Sequence, residues 1–159
     1  MRVDPLVLQP LWSAFAHAAR NAVDHGIETP IERLAANKSA FGTLRLFCEV
    51  QGGNLCIELT DDGAGVDWRA VRAKAQKLGL PCETQAELTD ALFHQGLSCK
   101  EQVSELSGRG VGLSALRHAA ESLGGSVELE TQASLGTTLR VRLPSSVIWQ
   151  PVLEEARAA

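Results

Sequence analysis

Two glycine clusters and one helical stripe hold the residues whose types and spacing could do chemistry. Asp61-Asp62-Gly63-Ala64-Gly65 directly follows an apolar run. A carboxylate at a strand end can accept hydrogen bonds from an amine, and glycines beside it let the backbone approach a ligand closely. The same string also reads as a turn, since Asp-Gly is a common turn dipeptide. Gly108-Arg109-Gly110-Val111-Gly112 stands at the opening of a helical pattern. Glycines there expose N–H groups and the positive end of the helix dipole, which makes an anion site or merely a flexible cap. The cluster is not a dinucleotide fingerprint, because no strand precedes it and Leu113 stands where the last Gly or Ala belongs. The chain has no Gly-Lys pair, so it has no P-loop.

The stripe lies on residues 6–25, which read as a helix with Gly26 as its stop. At about 100° per residue, Leu8, Leu11, Phe15, Ala18 and Ala22 share one arc. His17, Arg20, Asn21, Asp24 and His25 share the opposite one. Solvated helix faces are typically rich in Glu and Lys. This one has neither, and carries ligand-type and hydrogen-bonding side chains instead. It reads as a site, although His17 equally fits a packing role.

The remaining elements must position these groups. Residues 27–42, with Pro30, Asn37, Lys38 and Gly42, read as a loop with room for one helical turn. TLRLFCEV (43–50), the turn QGGN and LCIELT (55–60) form a hairpin. WRAVRAKAQKLG (68–79) and TQAELTDALF (84–93) are helices. Residues 94–110 are polar, punctuated by glycine and too long for an ordinary connection, so they read as a functional loop. VGLSALRHAAESLG (111–124) is a helix, and SVELETQ (126–132) with TLRVRLP (138–144) a second hairpin. Strands arriving as hairpins are not the strict βαβ alternation of a doubly wound sheet. A mixed, mainly antiparallel sheet covered on one face by helices fits better.

Composition narrows the function classes. With 159 residues, 45% hydrophobic and 21% charged, the chain is sized for one globular domain. Fifteen basic residues against nineteen acidic ones, a net charge of −4, argue against a general nucleic-acid binder. They leave room for a small phosphorylated ligand. Cys48, Cys56, Cys82 and Cys99 form no Cys-x-x-Cys pair, so they read as scattered thiols rather than zinc ligands. No apolar run reaches the roughly 20 residues of a membrane span. The prolines and Asp4 of MRVDPLVLQPLW also break any signal-peptide core, so the expected compartment is the cytoplasm.

The order of the pieces is more specific than any one of them. The chain runs from His17 through Asn21 to Gly26, then Asp61-x-Gly-x-Gly65, Phe93 to Ser98, Ser107 to Leu113 and Gly136-Thr-Thr138. This resembles the successive boxes of the Bergerat-fold ATPases, which include sensor histidine kinases and gyrase. HAARNAVDHGIETPIER (17–33) and SCKEQVSELSGRGVGLSAL (98–116) look most like the ATP-binding domain of chemotaxis-type, CheA-class histidine kinases. The resemblance covers about residues 6–144. It implies a two-layer α/β sandwich at 1–144 with 145–159 as a tail.

It also implies site roles. Asn21 would coordinate Mg²⁺, with His17, Arg20, Asp24 and His25 near the triphosphate of ATP. His17 is the candidate for assisting proton transfer. Asp61 would accept the adenine amine, with Gly63 and Gly65 packing close to the base and Thr138 beneath it. Lys74 would face phosphate. Ser98, Lys100, Gly108, Arg109, Gly110, Val111, Gly112 and Leu113 would line the nucleotide from a lid over 94–110. The implied activity is transfer of the γ-phosphoryl of ATP to a histidine on a separate domain, and onward to a response regulator. No phosphoacceptor domain is expected within the chain, nor a nucleic-acid partner. Two rivals share the fold: an anti-sigma-like serine kinase, and a non-catalytic ATP-binding regulatory module.

Overall fold

The computed structural model describes residues 2–97 and 112–149. In chain order the elements are β1 (Arg2–Val3), α1 (Pro5–Asn21), α2 (Pro30–Ala35), β2 (Leu44–Gln51), β3 (Asn54–Asp61), α3 (Trp68–Lys77), α4 (Gln85–Leu92), α5 (Leu113–Ser122), β4 (Ser126–Gln132), β5 (Gly136–Leu143) and β6 (Ile148–Trp149). Each helix starts for a local reason. Asp4 caps α1 by accepting from the Leu6 N–H at 2.8 Å, and Asp67 caps α3 through the N–H groups of Arg69 and Ala70. Thr29 with Glu32, and Thr84 with Glu87, make reciprocal capping boxes on α2 and α4. The loop expected at 27–42 therefore contains a capped helix of six residues. The first helix departs from expectation at its far end: α-helical geometry stops at Asn21, and Ala22–Gly26 form a single π-helical turn.

Four strands form an open sheet in the order β2-β3-β5-β4. Every neighbouring pair is antiparallel, the antiparallel limit of the mixed sheet expected. The sheet's helix-facing residues are Leu55, Ile57 and Leu59 of β3 with Leu139, Val141 and Leu143 of β5, all buried. They pack against Leu8, Leu11, Ala14, Phe15 and Ala18 of α1 and Leu116, Ala119 and Ala120 of α5. This is the two-layer α/β sandwich, and α1 buries Leu8, Leu11, Phe15 and Ala18 of the apolar arc read from the sequence, while Ala22 falls in the π turn and is only partly buried. A second cluster joins α3 and α4 through Val71, Ala75, Leu88 and Ala91, with Cys82 and Leu97; Leu92 touches both clusters. The opposite face of the sheet carries the cross-strand ion pairs of Arg140 with Glu58 at 2.9 Å and Glu130 at 3.0 Å. After β5 the chain makes a short 3₁₀ turn, and β6 pairs antiparallel with β1. Ile148 there packs on the main cluster. Among the described residues no helix is long and apolar enough to cross a membrane.

Candidate functional site

Asp61 ends β3 on the helix-facing side of the sheet. Directly opposite residues of an antiparallel pair point to the same face. The register therefore sets Leu44, Asp61, Thr137 and Thr131 in one row across that face. Three apolar residues of β3 precede Asp61 on this face, yet a carboxylate ends the series with only 8% of its surface exposed. A buried charge needs partners. Its Oδ1 accepts from the Gly63 N–H at 2.9 Å, and the Thr137 N–H also donates to the carboxylate. Burial still dominates and pushes the Asp61 carboxyl above the ordinary aspartate range. Buried carboxylates raised in this way cluster at functional sites, as well as in structural ion networks.

The glycines are needed where the chain crowds. A β-carbon on Gly63 would collide with the Gly26 carbonyl. Gly65 has a φ of +80°, and a β-carbon there would stand 2.7 Å from the Gln132 carbonyl oxygen. The loop 62–65 is thus wedged between the end of the π turn and the β4–β5 hairpin. Backbone bonds hold both sides: the Ala64 N–H donates to the Gly26 carbonyl, and the Ser134 N–H to the Ala64 carbonyl, each at 2.8 Å. On the other side, the Val66 N–H donates to Thr131 Oγ1 at 3.0 Å.

This geometry joins the first two sequence signals. A β-carbon on Gly26 would lie 3.8 Å from both Asp61 carboxylate oxygens, so the stripe of α1 runs directly up to Asp61. Arg20, Asn21, Asp24 and His25 are exposed in the last turns before Gly26, and His17 is half-buried one turn earlier. The π turn gives Asp24 and His25 a different angular spacing from the one an α-helix would. Lys74 lies half-buried on α3, the helix whose Val71 and Ala75 belong to the second cluster. Gly112 is the N-cap of α5 and supplies no side-chain cap to the first N–H groups of that helix; Leu113 follows as its first residue. Ser98, Lys100, Gly108, Arg109, Gly110 and Val111 lie outside the described residues, as does most of the lid expected at 94–110.

One expectation is corrected. Thr138 is not on the face of Asp61: it pairs with Thr60, and the two hydroxyls meet at 3.1 Å on the opposite side of the sheet. Period-two alternation gives the position beside Asp61 to Thr137, whose hydroxyl lies 3.2 Å from that of Thr131.

A buried charge cluster reaches the same 62–65 loop at Asp62. Arg33 is 1% exposed. Its Nε donates to the Ser39 carbonyl at 2.7 Å, and its two terminal nitrogens reach Glu28 at 3.0 Å, the Phe41 carbonyl at 3.2 Å, and Asp62 through both Oδ2 (2.9 Å) and the carbonyl (3.2 Å). Burial acts to raise the Asp62 carboxyl, but the Thr43 N–H and Arg33 outweigh it, so it is held low. Lys38, hydrogen-bonded to Glu28, holds the Glu28 carboxyl low as well. The only sequence signal for this cluster was Thr29-x-x-Glu32, a capping box announcing a helix that would fix Arg33 in place.

Among the described residues no group of three or more His, Cys, Asp and Glu could hold a metal ion alone.

Residues 8–147 match the family described as histidine kinase-, DNA gyrase B-, and HSP90-like ATPase. The chain is 41% identical over 145 residues to the chemotaxis protein CheA of Salmonella typhimurium, covering 89% of this chain and 22% of that protein. It is 39% identical over 157 residues to the gliding motility regulatory protein of Myxococcus xanthus, covering 95% of this chain and 20% of that one. The chain thus spans about one fifth of the length of these relatives. Among solved structures, the histidine kinase domain of the Erythrobacter litoralis EL346 blue-light activated kinase aligns with a TM-score of 0.47 and 18% identity, over 88% of this chain and 47% of that one.

Proposed function

The chain belongs to the histidine kinase-, DNA gyrase B- and HSP90-like ATPases, and from that premise we propose that it is the ATP-binding catalytic domain of a chemotaxis-type histidine kinase. The observation that carries this reading is Asp61: a buried carboxylate, paired to two backbone N–H groups, at the one place where the polar end of α1 and the glycine loop converge. A carboxylate is acceptor-only when ionised, so it selects a ligand edge that donates, such as the exocyclic amine of adenine. Thr137 lies beside it on the same face. The triphosphate then extends toward Arg20, Asn21 and His25, with His17 and Asp24 beside them, and toward the start of α5 at Gly112 and Leu113.

Mg²⁺ fits this donor set. It keeps several waters and binds through substrate phosphates plus one or two protein oxygens, and the exposed Asn21 amide supplies such an oxygen. When bound, Mg²⁺ neutralises charge developing on the phosphates. The chain's own contribution is positioning: a dry anchor for the base, basic groups along the phosphates, and helix N–H groups at their end. Lys74 and the residues Ser98, Lys100, Gly108, Arg109, Gly110 and Val111 complete the nucleotide shell in this reading. The γ-phosphoryl passes to an imidazole nitrogen of a histidine on a separate domain, ADP leaves, and a response regulator receives the group next. A reaction that draws on ATP belongs in the cytoplasm.

Calorimetric titration with a non-hydrolysable ATP analogue and Mg²⁺ tests the assignment. Asp61→Asn sets an amide, half donor, against the amine. A mismatched buried polar pair costs roughly 1–3 kcal/mol, so affinity falls about 5- to 150-fold. Wild-type affinity in the variant would overturn the reading.

A further inference from the structure

The adenine-site reading leaves Lys38 unused. Its ammonium donates to Glu28 Oε1 at 2.6 Å, to the Asp62 carbonyl at 2.9 Å and to the Gly63 carbonyl at 2.7 Å. Three donors meet three acceptors, and the side chain is only 14% exposed. Arg33 adds a fourth bond to this group, onto the Asp62 carbonyl at 3.2 Å.

These carbonyls bear directly on Asp61. The Asp62 carbonyl and the Gly63 N–H belong to one peptide unit. A trans peptide is planar and points its N–H and C=O in opposite directions. Two cations grip the carbonyl edge of that plane, and Asp61 Oδ1 accepts from its N–H edge at 2.9 Å. The tilt of the peptide therefore decides where the Asp61 carboxylate can aim.

Lys38 and Arg33 divide the work differently. Arg33 also fastens the Ser39 and Phe41 carbonyls and the Asp62 side chain, so it holds the whole 28–43 segment to the sheet. Apart from its counter-ion Glu28, the Lys38 ammonium bonds, among the described residues, only to the two carbonyls beside Asp61. We infer that Lys38 is a positioning residue which, through the Asp62–Gly63 peptide, aims the Asp61 carboxylate at the exocyclic amine of a bound purine nucleotide. The inference rests on the adenine-anchor reading of Asp61. It adds a determinant of base selectivity that touches no ligand.

The test separates aiming from general support. Titrate wild type and Lys38→Met with ATP analogue and with purine riboside triphosphate, which has the same ring but no 6-amino group. A misaligned hydrogen bond lowers ATP-analogue affinity about tenfold in the variant, while affinity for the amine-free nucleotide moves less than about twofold. Glu28→Gln, which keeps the shape and weakens the hold on Lys38, gives the same ordering at smaller size, and it carries the test should Lys38→Met fail to fold. Equal losses for both nucleotides, or no loss for either, overturn the positioning role. A wild-type chain that binds neither nucleotide overturns the adenine site itself, and the positioning role with it.

Discussion

The carbonyl oxygen of Gly26 occupies the space that a β-carbon on Gly63 would require. Backbone thus meets backbone where the π turn ends and the Asp61 loop begins, and the Ala64 N–H seals the contact at 2.8 Å. No side-chain rearrangement can relieve an added methyl group here. Gly63→Ala forces the two segments apart at an expected cost of about 1–3 kcal/mol, the usual range for overpacking. For a chain of this size that lowers Tm by roughly 2–4 °C per kcal/mol. Nucleotide affinity falls with it, because the same displacement moves the N–H that holds Asp61. Thermal denaturation and titration of the variant check this, and an unchanged Tm would contradict the contact.

The threonine pair at the start of β5 gives a sharper comparison. Thr137 shares a face with Asp61, whereas Thr138 faces the other way against Thr60. Valine keeps the β-branched shape and strand preference of threonine while removing the hydroxyl. Thr137→Val lowers nucleotide affinity about 2- to 10-fold, the size of one net hydrogen bond. Thr138→Val leaves affinity within about twofold. The reverse order in a titration would mean that the base sits on the outer face of the sheet.

That one-residue slip illustrates what local sequence can specify here. The apolar arc of α1 was legible because burial repeats with the helical period, and Leu8, Leu11, Phe15 and Ala18 are all buried. The hairpins were legible from QGGN and from alternating apolar residues. Their docking was not: β3 pairs with β5 through contacts some eighty residues apart, and only that register decides whether Thr137 or Thr138 stands beside Asp61. The same limit hid the Arg33 cluster. Glu28, Arg33 and Lys38 read as ordinary loop charges until the fold brings Asp62 to them. The π turn was invisible because nothing in AVDHG distinguishes it from a helix running on to a glycine stop.

The buried carboxylate has a consequence for pH. Burial raises the Asp61 pKa above the ordinary value of 3.8, so the folded chain binds this proton more tightly than the unfolded one. Its ionisation therefore opposes folding: the stability tied to the protonated form is complete below the ordinary value and is lost as pH rises through the raised one. Asn at this position does not titrate. Chemical denaturation of both proteins should show wild type gaining stability relative to Asp61→Asn as pH falls from neutral toward 3.8. The comparison cancels the acid-side loss from Glu28, whose carboxyl is held low and is common to both proteins. A stability difference that stays flat, or widens against wild type on acidification, would mean that Asp61 is not desolvated.

The last expectation concerns what the chain does with the nucleotide it binds. Its histidines are His17, His25, His94 and His118. In-line attack needs the nucleophile about 3–3.5 Å from the phosphorus, on the side opposite the leaving group. His17 is half-buried on α1, and His25 is held in the π turn beside Asp61. In the proposed site both approach the triphosphate from its flank, not along the line of displacement. His94 has its Nδ1 2.7 Å from the Gln95 carbonyl, and His118 sits on α5, beyond the helix start where the phosphates would end. Each belongs to the folded domain that would hold the nucleotide, and in the proposed site none approaches as a diffusing acceptor does. The chain should therefore bind Mg-ATP and incorporate no stable label from γ-labelled ATP, becoming a donor only when an acceptor histidine domain is added. Labelling with and without such a domain, followed by acid and base stability tests and mass spectrometry, decides the matter. Phosphohistidine at any of the four positions, formed at a rate independent of the added domain, would overturn the donor-only reading.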